Sequence, residues 1–164
     1  LGGLEQVVRL TDCEILIGIG DPAARATVAE RLARDGARFA SAVHPGAPLY
    51  RGVRVHAGAV VGAGAVIAAD ATLGEHSLVN LGATVGHDVV LARCATVGSR
   101  AGLGGGVRRA RRAFVGLTGT VLPGLSLGAG ATLGAGSVLL EDLPAGATAF
   151  GVPARIVERR GARP

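Results

Sequence analysis

Histidines are the side chains of this sequence best suited to acid–base chemistry near neutral pH, and there are four of them. Their spacings of 12, 20 and 11 residues do not match a recognisable set of metal ligands. All 17 basic residues are arginine, which excludes lysine-dependent chemistry such as a Schiff base. The two cysteines, Cys13 and Cys94, form no Cys-x-x-Cys motif, and we expect Cys94 to be a small packing residue. We expect no metal, and we expect structural or surface roles for three of the histidines: His44, His56 and His76.

The composition indicates a thin, regular core. Of 164 residues, 28 are glycine and only four are aromatic, yet 49% are hydrophobic and the mean hydropathy is +0.45. Such a chain is too apolar to be disordered and lacks the glycine content of collagen. The net charge of +5 suits a ligand that carries phosphates, whereas nucleic-acid binding is disfavoured by the lack of aromatic residues. Without a signal peptide or a long apolar run, we expect a cytoplasmic protein with no membrane partner.

A six-residue period runs through most of the chain. Every sixth residue from Val55 to Leu139 is aliphatic in fourteen of fifteen cases, and small or aliphatic residues recur four positions after each. This pattern predicts a parallel β-helix of hexapeptide repeats, with three repeats per coil and roughly five coils. The aliphatic residues would stack inside the coils, and small residues would fit the narrow interior. Glycines, which often follow the aliphatic position, would supply the tight corners.

Arg109 is the one defect in this register. A buried arginine without partners would be costly, so either this side of the coil bulges or the guanidinium reaches outward. With its neighbours in Val107–Ala113 it could form an irregular coil or a basic patch beside a ligand cleft.

The first 50 residues have a different pattern, that of a strand–helix–strand unit. An apolar run over Cys13–Gly20 predicts a strand, and Arg38–Val43 predicts another. Between them, Asp21 is a candidate N-cap, Pro22 fits the first helical position and Gly36 would end the helix. We therefore divide the chain into an α/β unit at 1–50, a β-helix at 51–142 and a capping segment at 143–164.

Four segments resemble one family of enzymes: Gly18–Pro22, Val79–Asp88, Val121–Gly124 and Gly151–Arg155. Together they are similar to the NeuD/PglD-like sugar acetyltransferases, which acetylate sialic acid or bacillosamine and belong to the hexapeptide-repeat acyltransferases. The resemblance implies a left-handed β-helix, a homotrimer, and acetyl-CoA bound in the cleft between neighbouring helices. It also implies that the acceptor is a sugar or a nucleotide-sugar.

The same resemblance implies that His87 is the general base and that Asp88 is the acidic residue that raises its basicity. A neutral imidazole can take the proton from a hydroxyl or amine as that atom attacks a thioester. A carboxylate on the other ring nitrogen would stabilise the imidazolium as it forms. Transfer would be direct, without an acyl-enzyme.

The remaining site residues are also carried over from the family. The resemblance places Gly3 and Asn80 at the acceptor sugar, and it gives Gly105 a backbone N–H near the thioester. From charge alone, Arg108 and Arg112 would pair with coenzyme phosphates. The family often has histidine at the position of Thr96. The expected coenzyme contacts are therefore Thr96, Gly105, Leu117, Gly134, Ala135, Arg108 and Arg112.

The N-terminus departs from the family pattern. Relatives begin with a glycine-rich loop that holds the nucleotide-sugar, whereas this sequence starts at Leu1, so we expect a truncated Rossmann-like unit. Gly18-Ile19-Gly20 lacks the third glycine of a dinucleotide-binding motif. This leaves open a non-catalytic, trimeric β-helix scaffold, with a metal-dependent enzyme like carbonic anhydrase as a more distant alternative.

Overall fold

The structure of the chain is a computed structural model that describes residues 13–157. It contains a small N-terminal unit around one helix, a three-sided parallel β-solenoid, and a C-terminal hairpin. Within the described residues, no helix is long and apolar enough to cross a membrane.

Helix α1 (Pro22–Arg34) forms where the sequence predicts a helix. The Asp21 carboxylate accepts a hydrogen bond of 2.7 Å from the Ala24 N–H, and Gly36 has a φ of +81° after the last turn. This confirms the N-cap and the stop signal. The flanking segments pair only at one parallel bridge, between Ile15 and Phe39. The second predicted strand divides, because its last two residues pair with the solenoid instead.

The solenoid is built from two-residue strands arranged in three sheets. The first sheet contains β1 (Ala42–Val43), β3 (Val60–Val61), β6 (Leu78–Val79), β9 (Thr96–Val97), β12 (Phe114–Val115), β15 (Thr132–Leu133), β17 (Thr148–Gly151) and β18 (Ala154–Val157). The second contains β4 (Val66–Ile67), β7 (Thr84–Val85), β10 (Gly102–Leu103), β13 (Thr120–Val121) and β16 (Val138–Leu139). The third contains β2 (Arg54–Val55), β5 (Thr72–Leu73), β8 (Val90–Leu91), β11 (Arg108–Arg109) and β14 (Ser126–Leu127).

Successive coils are in strict register. Parallel strands pair residues 18 positions apart, as Ala42 with Val60 and Gly102 with Thr120, so three hexapeptides make one coil. The solenoid makes about six turns, one more than the repeat count indicates, because β1 and β17 extend it at both ends. We call the bends after the first, second and third sheets the first, second and third corners.

The core confirms the predicted register. All the every-sixth residues from Val55 to Leu139 are buried except Val55, which is half-buried. The small residues four positions later are buried too, with Leu125 half-buried. These two sets form one continuous apolar interior, which accounts for most of the buried side chains between residues 13 and 157.

Glycine has the predicted corner role at one set of positions and a different role at another. The glycines with a left-handed φ of +64° to +75° at the corners include Gly58, Gly64, Gly82, Gly106, Gly124, Gly130 and Gly136. The glycine after each inward aliphatic residue lies against the next coil: a Cβ on Gly86 would be 2.6 Å from the Gly105 nitrogen. The left-handed corner conformation occurs two positions later, where Asp88 has a φ of +58°. Close approach of the backbones, rather than the turn itself, therefore requires glycine directly after the inward residue.

Arg109 is inward-facing and only 1% exposed, so both expectations for it are wrong. Strand β11 pairs in register with its neighbours and has no bulge. The Arg109 Nη2 donates hydrogen bonds to the carbonyls of Thr96 (2.6 Å) and Ala113 (2.8 Å), while Nε and Nη1 have no partner. Burial lowers the pKa of Arg109 from its ordinary value to about 9.

The C-terminal segment leaves the repeat and continues the first sheet. Strand β17 pairs in parallel with β15, and β18 folds back antiparallel to β17. Leu143 and Ala149 are buried against the last coil, and Phe150 lies over the glycine face of Gly134. This hairpin covers part of the end of the solenoid core.

Candidate functional site

His87 and Asp88 lie at the second corner, between β7 and β8. Gly86 lets the backbone run against the next coil, and the Asp88 N–H donates a hydrogen bond of 3.0 Å to the Ala69 carbonyl of the previous coil. The His87 carbonyl accepts one of 2.8 Å from the Gly106 N–H of the coil that follows. The backbone of this corner is therefore hydrogen-bonded to the coils on both sides, which fixes the positions of the His87 and Asp88 Cα atoms.

The two side chains are joined directly. The His87 Nδ1 lies 2.8 Å from the Asp88 Oδ2, and the side chains are 72% and 66% exposed. The carboxylate favours the tautomer with a proton on Nδ1, leaving Nε2 free to accept one. The Asp88 carboxylate is thus exposed in the single chain.

Gly105 lies beneath the imidazole, one coil further along. A Cβ built on Gly105 would be 2.6 Å from the His87 Cε1, and its closest contact would be with Nε2. The ring therefore rests on a surface that only glycine leaves open. Gly105 thus makes room for the imidazole, which is separate from the backbone N–H role that the family resemblance implies for it.

Replacing Gly105 by alanine should displace the His87 ring without unfolding the chain, since Gly105 does not have a left-handed φ. If His87 is the base, transfer should fall by about 10-fold or more, because a misplaced catalytic group loses alignment. The matched control is Gly102→Ala, whose Cβ would meet nothing closer than 3.4 Å. Steady-state kinetics and a thermal melt test this; full activity in Gly105→Ala would show that the ring position is unimportant.

A pocket of about 570 Å³ lies between the start of α1 and the first sheet. One wall comes from the N-terminal unit, the other from consecutive coils of the solenoid. The pocket brings together three predicted site residues that are distant in sequence, Asn80, Thr96 and Leu117. Its other lining residues are Gly20, Asp21, Pro22, Gly98, Ser99, Phe114 and Thr132.

Arg25 joins the two walls and is not among the site residues predicted from the sequence. It is 2% exposed, and its Nη2 donates a hydrogen bond of 2.6 Å to the Thr96 Oγ1. Burial lowers the pKa of Arg25, and the nearby Cys94 and Asp21 oppose that shift. A signal was present, because Arg25 falls on the buried stripe of α1 with Pro22, Ala26, Ala29 and Leu32.

The other predicted residues that the structure describes lie outside this pocket. Ala135 is at the first corner, one coil beyond Leu117, and Gly134 beside it is covered by Phe150. Arg108 is exposed on the third sheet and Arg112 at the third corner. Gly3 lies outside the described residues. A single chain therefore places His87, Asp88 and Gly105 at one corner and the pocket residues across the second sheet from them.

The remaining histidines and cysteines show no shared site. His76 is buried at the third corner, its ring edge-to-face with Phe39 at 4.5 Å. Burial lowers the pKa of His76, and the positive charges of Arg93 and Arg25 lower it further. The negative charge of Glu75 partly opposes this shift. Cys94 is a buried packing residue, as predicted, and burial raises its pKa. Between residues 13 and 157, no three His, Cys, Asp or Glu side chains come together as a metal site would require.

Solved structures similar to this chain include proteins crystallised with CoA or acetyl-CoA, two of them together with GDP-perosamine. PerB from Caulobacter crescentus, in complex with CoA and GDP-perosamine, is 34% identical with a TM-score of 0.93 over 96% of this chain and 78% of PerB. A perosamine N-acetyltransferase from the same organism, with one histidine replaced by asparagine, is 35% identical with a TM-score of 0.88 over 93% and 73%. The acetyltransferase domain of PglB from Neisseria gonorrhoeae, in complex with acetyl coenzyme A, is 30% identical with a TM-score of 0.85 over 88% and 70%.

Comparison by sequence alone finds less. A serine acetyltransferase from Synechococcus elongatus is 39% identical over 54 residues, and the match spans only 22% of that enzyme and 33% of this chain. No family profile matches the sequence. The similarity to known proteins therefore covers most of the chain when structures are compared, but only a third of it in the sequence match.

Proposed function

We propose, because this chain belongs to the left-handed β-helix acyltransferases of the hexapeptide-repeat superfamily, that it transfers an acetyl group from acetyl-CoA to a nucleotide-linked sugar. The observation that carries this proposal is the His87–Asp88 pair over Gly105, on a solenoid similar to enzymes crystallised with CoA and a nucleotide-sugar. Within the superfamily, we assign the chain to the NeuD/PglD-like group.

His87 would act as the general base. Its Nε2 takes the proton from the acceptor amine or hydroxyl as that atom forms a bond to the acetyl carbon. The C–S bond breaks, and the same proton can pass to the departing CoA thiolate. Asp88 holds Nδ1 and stabilises the imidazolium in between. In support, relatives were crystallised as variants in which one histidine is replaced.

A second copy of the chain would complete the site. His87 and the pocket lie on opposite sides of the second sheet of one chain. In a threefold assembly, the corner of one solenoid faces the sheet of its neighbour. We therefore propose a homotrimer with acetyl-CoA in the cleft between copies, at the Gly134–Ala135 corner. Thr96 and Leu117, which the family resemblance gives to the coenzyme, we reassign to the acceptor pocket that they line.

The N-terminal unit would hold the acceptor. It supplies Gly20 and Asp21 to one wall of the pocket, opposite Asn80. We interpret residues 1–50 as a unit that resembles a nucleotide-sugar-binding α/β unit, 51–142 as the transferase domain and 143–164 as the cap. The acceptor decides whether an oxygen or a nitrogen atom receives the acetyl group. The cytoplasmic location expected from the sequence stays a prediction.

Arg108 and Arg112 would pair with coenzyme phosphates. They are exposed, whereas the neighbouring Arg111 and Arg93 lie 3.9 Å from the Glu30 carboxylate of α1. Replacing both Arg108 and Arg112 by alanine should raise the KM for acetyl-CoA about 5-fold with little change in kcat, since only ground-state binding is lost. The matched control is Arg54→Ala, an exposed arginine on the same sheet. An unchanged KM would exclude both residues from the coenzyme site.

Calorimetry separates this function from a non-catalytic scaffold. Titrating acetyl-CoA into the protein, with light scattering of the same sample, should give saturable binding of one molecule per chain in a trimer. A folded trimer that binds neither acetyl-CoA nor CoA would favour the scaffold and contradict the proposed activity.

A further inference from the structure

Arg25 makes an unusually complete set of hydrogen bonds. A guanidinium has five N–H donors. In Arg25 all five are used, with Nε donating to His76 O at 2.8 Å and Nη1 to Ile19 O at 2.6 Å and Gly20 O at 2.9 Å. Nη2 donates to Cys94 O at 3.0 Å and Thr96 Oγ1 at 2.6 Å.

These five acceptors come from three separate parts of the chain. Ile19 and Gly20 belong to the turn before α1, two carbonyls belong to the third corner, and Thr96 is in β9 of the first sheet. Gly20 and Thr96 line opposite walls of the 570 Å³ pocket. Arg25 itself is buried behind those walls and does not line the pocket. It therefore links the two walls from behind without lining the space between them.

Thr96 is also held from the inside of the solenoid. Its carbonyl accepts a hydrogen bond of 2.6 Å from the Arg109 Nη2, while its hydroxyl accepts one of the same length from Arg25. The residue is thus fixed by two buried guanidinium groups, one on each face of the sheet.

We propose that Arg25 is a positioning residue of the acetyl-transfer site: through Thr96 and the Ile19–Gly20 turn it holds the pocket at the width that a nucleotide-sugar acceptor requires. This inference rests on the proposed function. We call the five hydrogen bonds of Arg25 the Arg25 clamp. Loss of this clamp should let the N-terminal wall move while the solenoid stays folded, because the solenoid core does not include Arg25. Acceptor binding should then weaken more than acetyl-CoA binding.

Two conservative substitutions test the clamp. Arg25→Lys keeps the charge but has three donors in place of five, and Thr96→Val removes only the hydroxyl. With GDP-perosamine as acceptor, each should raise the KM for the acceptor about 10-fold and that for acetyl-CoA less than about twofold. Thr96→Ser, which restores the hydroxyl, should recover the wild-type KM. Arg34→Lys, an exposed position on the same helix, is the matched control.

Hydrogen exchange provides a second readout that does not need turnover. In Arg25→Lys and Thr96→Val, amides of the Ile19–Gly20 turn and the first turn of α1 should exchange faster, whereas those of the solenoid should not change. A wild-type KM for the acceptor with unchanged exchange in both variants would overturn the clamp. If the wild-type protein shows no acetyl transfer, that result counts against the proposed function, and exchange in the turn still decides the role of Arg25.

Discussion

Replacing His87 by alanine is expected to lower kcat for acetyl transfer by about 10²- to 10⁴-fold, the usual contribution of a positioned general base. The His87 side chain is exposed and makes its one described hydrogen bond to Asp88, so its removal should leave the solenoid folded. The KM for acetyl-CoA should change little, because the base acts on the acceptor rather than on the coenzyme. Steady-state kinetics on the purified variant measure both constants.

The matched control for this variant is His56→Ala, an exposed histidine at the third corner. It should retain wild-type activity and stability. The kcat of Asp88→Asn should lie between those of His87→Ala and His56→Ala, since the amide still contacts the His87 Nδ1 but no longer stabilises the imidazolium. Wild-type turnover in His87→Ala would remove this residue from the mechanism.

Replacing Arg109 by leucine is expected to stabilise the protein by about 1–4 kcal/mol, because a buried charge with an incomplete set of partners is replaced by a side chain that packs. The fold shows that leucine fits, since Leu91 and Leu127 occupy the same inward position in the adjacent coils and are fully buried. The Thr96 and Ala113 carbonyls lose one donor each, which offsets part of the gain. Thermal unfolding should show a rise of about 2–4 °C for each kcal/mol at this chain length.

The pH dependence of this effect has a definite sign. Because the pKa of Arg109 is about 9 in the folded chain and ordinary when unfolded, the cost of its charge is fully present at neutral pH. The cost falls as pH rises above 9, where the folded state releases the proton first. The stability difference between Arg109→Leu and wild type should therefore be constant from pH 6 to 8 and narrow above pH 9. Arg108→Leu, an exposed neighbour, is the control; destabilisation by Arg109→Leu would show that the buried charge is compensated.

The core of the solenoid could be predicted because a period of six fixes which side chains face inward. Val85 and Leu91, for example, both occupy the inward position of their hexapeptides, and both are buried. Arg109 breaks the hydrophobic pattern but not the register, since its long side chain reaches two carbonyls across the interior. The sequence pattern identifies the anomaly but contains no information about those carbonyls.

The site was predictable only in part. His87 and Asp88 are adjacent, so their contact follows from local geometry, and a spacing of 18 residues puts Gly105 directly beyond His87. Arg25 and Thr96 are 71 residues apart, and no local pattern links them. The separation of His87 from Leu117 follows from the same 18-residue repeat, because the two residues fall on different corners of the coil.

Acetyl transfer itself is tested most directly by incubating the purified chain with acetyl-CoA and GDP-perosamine while following free CoA thiol and the mass of the nucleotide-sugar. We expect thiol release in equal amount to an acetylated nucleotide-sugar, and neither product with His87→Ala. Bound acetyl-CoA with no acetylated product, from GDP-perosamine or from other nucleotide-linked amino or hydroxy sugars, would contradict the proposed function.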